Sequence, residues 1–448
     1  MKLGRNDGLG AVERLASLME SELATTKMLR RTGKVVEVIG TLMRVAGLDA
    51  QVGELCELLD ESGEVLESAE VVGFAGGRSL LSPFGSILGV RPGTQVAGSG
   101  KILAVPVGDR LLGRVIDSLG RPIDGHGAIL TGESRPVFAL PPSPMERAMI
   151  GPPLPTGVKA IDGLITLAEG QRMGIFAPAG VGKSTLMGML ARGTQCDISV
   201  IALIGERGRE VREFVEDIMG EEGMARSVVV CATSDRSSIE RAKAAHTATT
   251  VAEYFRDRGL KVLLMMDSLT RFARAQREIG LAAGEPPARR GFPPSVFAEI
   301  PRLLERAGMG IRGSITALYT VLAEDESSGD PISEEVRGIL DGHMVLSRKI
   351  AARNQYPAID VLGSLSRVMS QVVAREHREA AGKLRKLMAR HDELELLIQL
   401  GEYKQGGDPL ADEAVAKIAA IKDLLSQPTD HSWVFDDTVE LLMHIARS

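Results

Sequence analysis

Lys183 and Ser184 close the stretch "FAPAGVGKST", residues 176–185, in which a strand-like run, "RMGIF", passes through small residues into the helix-like "KSTLMGML". Small residues let backbone N–H groups approach phosphate oxygens. The lysine then puts a positive charge on the outer phosphates of a nucleoside triphosphate, and the serine offers a hydroxyl to Mg²⁺. A helix starting at this point adds its positive end. The first position of the motif is Ala177 rather than Gly, which is tolerable if that residue has negative φ. An ordinary glycine-rich strand-to-helix turn is the competing reading.

Two carboxylates follow strand-like runs. "VLLMMD" ends in Asp267, which can hold the Mg²⁺ hydration shell beside Ser184 or simply cap the next helix. "LIGERGRE" puts Glu206 directly after another run, where it can orient or deprotonate a water attacking the γ-phosphate, and Arg207 beside it can pair with phosphate. Glu206 and Arg207, with Arg209 and Glu210, also read as a solvated charge cluster. Further on, Tyr356 precedes a proline and Arg367 lies in "SLSRV". The tyrosine can stack on a base and the arginine can stabilise a phosphoryl transition state, but their spacing equally fits a core tyrosine and a surface ion pair.

Several elements must position these groups. From Gln171 onward strand-like and helix-like segments alternate, which predicts a parallel sheet with helices on both faces and a ligand at the carboxyl ends of its strands. Residues 32–100 carry short apolar runs separated by "ESG", "AGG" and "RPGT", as in a small barrel or sandwich. The Gly- and Pro-rich stretch after them reads as irregular connection. Beyond Arg367 helical spacing prevails, with Leu384, Leu387, Met388, Leu394, Leu397 and Ile398 on one face and Val415, Ile418, Ile421 and Leu425 on another. At the other end Val12, Leu15, Met19 and Leu23 fall at helical spacing, in a frayed tail, a helix docked on its own domain or a partner-binding helix.

Composition narrows the function. The 448 residues exceed one hydrophobic core and suggest about three domains. No apolar run reaches membrane-spanning length and the N-terminus lacks a secretory core, so a cytoplasmic protein is expected. Cys56, Cys196 and Cys231 show neither zinc spacing nor a disulfide framework. A net charge of −6 gives no global sign of a polyanion binder, and few aromatics are present to stack bases.

The motifs "GERGREVREF", "MMDSLTRFARAQREIGLAAGEPPARRGFPPSVF", "IPRLLERAG", "ILDGHMVLSR" and "YPAIDVLGSLSRVM" together resemble the ATPases of type III protein secretion, found in injectisomes and in flagellar export. The resemblance implies a multidomain α/β fold related to the rotary ATP synthase catalytic subunit. Its parts would be a partner-binding segment at 1–31, a β-barrel at 32–100, a RecA-like ATPase domain at 101–367 and a helical domain at 368–448. It implies ATP and Mg²⁺ as cofactors. Ala179, Gly180, Val181, Gly182, Lys183, Ser184 and Thr185 would cradle the phosphates, Glu206 would be the catalytic carboxylate and Asp267 the metal-binding acid. Tyr356 would pack near adenine, and Arg367 would be an arginine finger reaching a neighbouring subunit's nucleotide.

That role implies a homohexamer. Further implied partners are an accessory stator protein at the N-terminal segment, a central coiled-coil stalk and chaperone–cargo complexes, with peripheral association at the inner membrane and no nucleic acid. "VGELCEL" and the compact C-terminus favour an injectisome over a flagellar machine. "APAG", with Pro178, departs from relatives that carry a glycine there and stiffens the loop that sets nucleotide affinity. An RNA translocase of the transcription-terminator type and a non-catalytic ring subunit are the competing functions; the acidic balance and scarce aromatics count against the first, and Glu206 against the second.

Overall fold

The computed structural model describes residues 31–323 and 329–448, which divide into two compact units between Ile102 and Leu103. The helical spacing at Val12, Leu15, Met19 and Leu23 falls outside the described residues.

The first unit is a closed barrel of β1 (Thr32–Ile39), β2 (Leu42–Ala46), β3 (Glu54–Leu59), β4 (Val65–Ala75), β5 (Arg78–Pro83) and β6 (Gln95–Ile102). The strand order is β1-β2-β5-β4-β3-β6, with β6 pairing back to β1. Alternation drives closure: Val35, Val45, Cys56, Leu58, Val71, Leu81 and Val96 fill the interior, with alternation clearest along β1 and β3. Of the two architectures that the turn spacing allowed, the barrel is the one formed, and it leaves no free sheet edge.

The second unit opens with three short strands inside the Gly- and Pro-rich connection. β7 (Ala104–Val107) pairs with β9 (Glu133–Pro136), and β8 (Val115–Ile116) becomes the edge of the main sheet. The sequence hid them because two to four residues are too few to show a period-2 pattern. The main sheet adds β10 (Arg172–Ala177), β11 (Ile198–Ile204), β12 (Ser227–Ala232), β13 (Lys261–Asp267), β14 (Gly308–Met309), β15 (Ser314–Leu322), β16 (Gly342–Leu346) and β17 (Ile359–Ser366). Its order is β17-β16-β10-β15-β13-β11-β12-β8, parallel throughout except that β17 runs against β16; β14 pairs antiparallel with β15 beside this path.

The helices used below are α1 (Lys159–Leu164), α2 (Lys183–Gly193), α3 (Gly208–Glu213), α4 (Ser238–Asp257), α5 (Leu269–Ala282), α6 (Pro294–Leu304), α7 (Pro331–Ile339), α8 (Arg375–Gln399), α9 (Pro409–Leu425) and α10 (Phe435–Arg447). Central strands apolar on both sides demand two cores. Ile201, Leu203, Leu263 and Met265 share one with α1, α2 and the C-terminal helices α8 to α10. Val200, Ala202, Leu264 and Met266 share the other with α4, α5 and α6. Of the apolar face expected on α8, Leu384, Leu387 and Leu394 are buried, whereas Leu397 is exposed with Leu396 and Leu400 near the helix end. Among the described residues no helix is long and apolar enough to cross a membrane.

A buried ion pair ties the irregular connection to this frame. Arg306 is 2% exposed and its guanidinium meets both carboxylate oxygens of Glu253 on α4, at 2.9 and 2.6 Å. It also donates to Thr250 Oγ1 at 2.9 Å and to the Val137 carbonyl at 2.8 Å. Deleting the carboxylate strands a cation in the core. Glu253→Ala is expected to destabilise the protein by about 3–5 kcal/mol, seen as a lower urea midpoint at unchanged slope.

Candidate active site

β10, β11, β13 and β15 all end at one edge of the sheet, where open α/β sheets take ligands. Ala177 is the last residue of β10, buried and extended, and its carbonyl accepts the Ala323 N–H at 3.2 Å. An alanine therefore sits at the first motif position without backbone strain. Gly180 and Gly182 then take φ of 82° and 84°, which only glycine adopts freely, and turn the chain into α2. The first turn of α2 closes with the Leu186 N–H on the Gly182 carbonyl, and no side chain caps the helix at Gly182. The N–H groups of Lys183, Ser184 and Thr185 consequently have no acceptor within the helix, and the Ser184 and Thr185 side chains lie exposed beside them.

Lys183 reaches across the strand ends. Its ammonium contacts the Asp267 carboxylate and lies 3.8 Å from Glu206 Oε1. Asp267 closes β13 in register with Leu203 of β11, and two residues beyond β11 the chain delivers Glu206. The buried Thr320 hydroxyl of β15 donates to Asp267 Oδ1 at 2.7 Å and fixes that carboxylate. Burial first and the neighbouring Asp267 second push the Glu206 carboxyl up to about 7, against the opposing pull of Lys183 and Arg271. A carboxyl group poised near neutrality is suited to taking a proton from water.

Arg271, in the first turn of α5, was not singled out by its motif. Its Nε lies 3.8 Å from Glu206 Oε1. A Cβ on Gly205, which has φ 69°, would stand 2.9 Å from Arg271 Cδ, so glycine there lets the arginine stem pass. The structure does not bring Arg207 to this place. Arg207 is the residue preceding α3, its side chain is 78% exposed, and it pairs with Glu210 at 3.1 Å, while Arg209 pairs with Glu213. Arg207 and Arg209 therefore belong to a solvated charge cluster, whereas Glu206 lies between Lys183 and the Glu210 of that cluster, to which it is hydrogen-bonded.

Tyr356 stands beside the phosphate loop. A Cβ on Gly182 would be 3.5 Å from its ring, which is 37% exposed and so no core tyrosine. Arg367 goes elsewhere. It follows β17, its N–H bonds the Asp341 carbonyl at 3.0 Å and its exposed guanidinium donates to the Arg337 carbonyl at 3.2 Å. Asp341 also accepts from the backbone of Arg172, the first residue of β10. Because β17 is antiparallel to its neighbour, Arg367 lies where the parallel strands begin. The six residues of β10 separate that edge from the phosphate loop, roughly 17 Å at 3.3 Å per residue. One chain thus holds Lys183 and Arg367 at opposite edges of its sheet.

These residues fit a magnesium nucleotide. The helix end is uncapped, and Arg271 Nε is buried with no hydrogen-bond partner among the described residues. Ser184 and Asp267 supply hard oxygen donors. Mg²⁺ needs only one or two protein oxygens alongside phosphates and water.

Residues 35–100 match the beta-barrel domain of the ATP synthase alpha/beta family, residues 157–366 its nucleotide-binding domain, and residues 373–444 the T3SS EscN ATPase C-terminal domain. The chain is 67% identical to a type 3 secretion system ATPase of Xanthomonas euvesicatoria over 96% of this chain and 98% of that one. It is 48% identical to a flagellum-specific ATP synthase of Bacillus subtilis, with 93% and 95% covered. The assembled ATPase EscN from the enteropathogenic E. coli type III secretion system superposes with a TM-score of 0.88 at 47% identity, over 92% of this chain and 100% of that one; a further structure holds EscN in complex with its central stalk EscO.

Proposed function

The chain belongs to the type III secretion ATPase family, and we propose that it hydrolyses ATP as a Mg²⁺-dependent homohexameric ring that frees cargo from chaperones and unfolds it for export. The observation that carries this reading is the placement of Lys183 and Arg367 at opposite edges of one sheet, which calls for a second copy to complete each site. Ala179 to Thr185 hold the phosphates, and Ser184 and Asp267 hold the metal. Bound magnesium nucleotide supplies the γ-phosphoryl group. Glu206 accepts the proton of the attacking water, Lys183 and Arg271 balance charge around it, and Tyr356 borders the base. A central stalk, a stator protein at the N-terminal segment and the cytoplasmic face of the inner membrane complete the surroundings.

Purified protein given a chaperone–cargo complex should release cargo with ATP and not with a non-hydrolysable analogue; equal release with both would remove hydrolysis from the step. Identity of 67% to an injectisome-type relative against 48% to the flagellar one favours the injectisome. Deleting the gene should then stop injectisome export and leave swimming intact, and lost motility would assign the flagellar machine instead. Thr320→Val, which releases Asp267, should weaken apparent Mg²⁺ affinity roughly tenfold in a titration at saturating ATP.

A further inference from the structure

The link between α9 and α10, residues 426–434, belongs to the C-terminal helical region but makes its hydrogen bonds to the nucleotide site's framework. Gln427 is its centre and is 5% exposed. Its backbone N–H donates to the Tyr356 carbonyl at 2.9 Å. Its side-chain Oε1 accepts the Lys159 N–H of α1 at 3.0 Å, and its Nε2 donates to the Gly157 carbonyl at 2.7 Å and to the His431 carbonyl. A single residue therefore satisfies groups on three segments, and the side-chain bonds fix where its own N–H points.

The anchor for those bonds is rigid. Asp162, fully buried, accepts from the Thr156 N–H and hydroxyl and from the Gly157 N–H, at 2.9, 2.8 and 3.0 Å. Gly157 has φ 74°, and a Cβ there would lie 2.0 Å from Ser432 Oγ, so the link can approach only because glycine occupies the position. The Trp433 N–H closes on the same Gly157 carbonyl at 3.0 Å. At the far end of α2, the Arg192 guanidinium donates to the Thr429 carbonyl at 3.0 Å. The link is thus tied both to the helix that follows the phosphate loop and to the tyrosine beside that loop.

We propose that Gln427 is a positioning residue for nucleotide recognition: its side chain, braced on Gly157 and Lys159, holds the Tyr356 backbone so that the tyrosine ring stands over Gly182 at the base-side wall of the site. This rests on the reading of Tyr356 as the base-contacting residue. A leucine in place of Gln427 keeps the volume, leaves the Lys159 N–H unpaired and leaves the Gly157 carbonyl with the Trp433 N–H alone, which frees the link and with it the Tyr356 carbonyl. The phosphate loop itself is untouched.

Gln427→Leu, Tyr356→Ala and the double variant are compared in the full-length protein by ATPase kinetics and by inhibition with inorganic tripolyphosphate, which carries no base. Gln427→Leu should raise KM for ATP roughly three- to tenfold with kcat within about twofold, and should leave tripolyphosphate inhibition at the wild-type value. Tyr356→Ala should raise KM by at least as much, and the double variant should be no worse than Tyr356→Ala alone. Full additivity in the double variant, an unchanged KM in Gln427→Leu, or a parallel loss of tripolyphosphate inhibition overturns the proposal while Tyr356 keeps its place at the base. An unchanged KM in Tyr356→Ala removes the underlying reading and the proposal together. Gln427→Asn keeps both an amide donor and an amide acceptor on a shorter stem, so it should shift KM in the same direction by less; should the leucine variant fail to fold, this one decides by the same criteria.

Discussion

Glu206→Gln is expected to lower kcat by about 10²–10⁴ while nucleotide binding stays equal or tightens. The amide has the shape of the carboxylate and leaves Lys183 on Asp267, so the phosphate-holding groups remain in place. What disappears is the proton acceptor, together with a negative charge that repels both Asp267 and an incoming polyanion. The wild-type pH profile follows from the same environment. With its carboxyl raised to about 7, Glu206 is protonated and idle below that pH, so kcat/KM of the free enzyme should climb as pH rises through about 7 and then level off. Fluorescent-nucleotide titration and phosphate release across pH test both parts. A variant that turns over at the wild-type rate, or a rising limb that persists unchanged in Glu206→Gln, would take Glu206 out of the reaction.

The parts of this site legible in the sequence are those whose chemistry is local. A strand, small residues and a lysine at a helix start determine the phosphate loop within ten residues, and Asp267 announces itself as the polar end of an apolar run. Glu206 and Arg207 are adjacent and both charged, yet one reaches inward to Lys183 and the other lies in solvent. Nothing in "GERGRE" distinguishes them, because the choice is made by the direction in which the chain leaves β11. Arg271 needed a contact across two strand-to-helix connections; the only clue was Gly205, whose missing side chain makes room for it. Thr320 is one polar residue in the apolar run of β15, and its value depends on β13 lying next to β15 in a non-sequential strand order. The C-terminal helices were legible from their spacing, but not their close packing on the same core as the phosphate helix, nor the reach of Gln427 to Tyr356. Long-range pairing decides each of these, and spacing within one segment carries no trace of it.

Arg367→Ala is expected to cost about 10³–10⁵ in turnover at concentrations where wild-type activity has saturated, with binding of nucleotide largely kept. The magnitude follows from placing a guanidinium against charge that develops on the phosphoryl oxygens. With Arg367 beside Asp341 and Arg337, an entire strand away from Ala177, the finger role proposed for it acts on charge held by another copy. Mixing makes that prediction decisive. Lys183→Ala chains lack a working phosphate loop and Arg367→Ala chains lack the finger, so each alone should be inactive. When the two are co-assembled, an interface that joins the intact loop of one to the intact arginine of the other is complete. In a head-to-tail ring of randomly mixed chains about a quarter of the interfaces meet that condition, so activity should return toward a quarter of wild type. Arg367→Lys separates chemistry from assembly: it keeps the charge and loses the planar fork, so rings should form without recovering the rate. If instead the mixture stays at the level of its inactive components while wild-type and variant chains demonstrably share rings, each protomer completes its own site. The edge-to-edge geometry of Lys183 and Arg367 would then have to be broken by a rearrangement within a single chain, against the pairing of β10 with β16 and of β16 with both ends of β17.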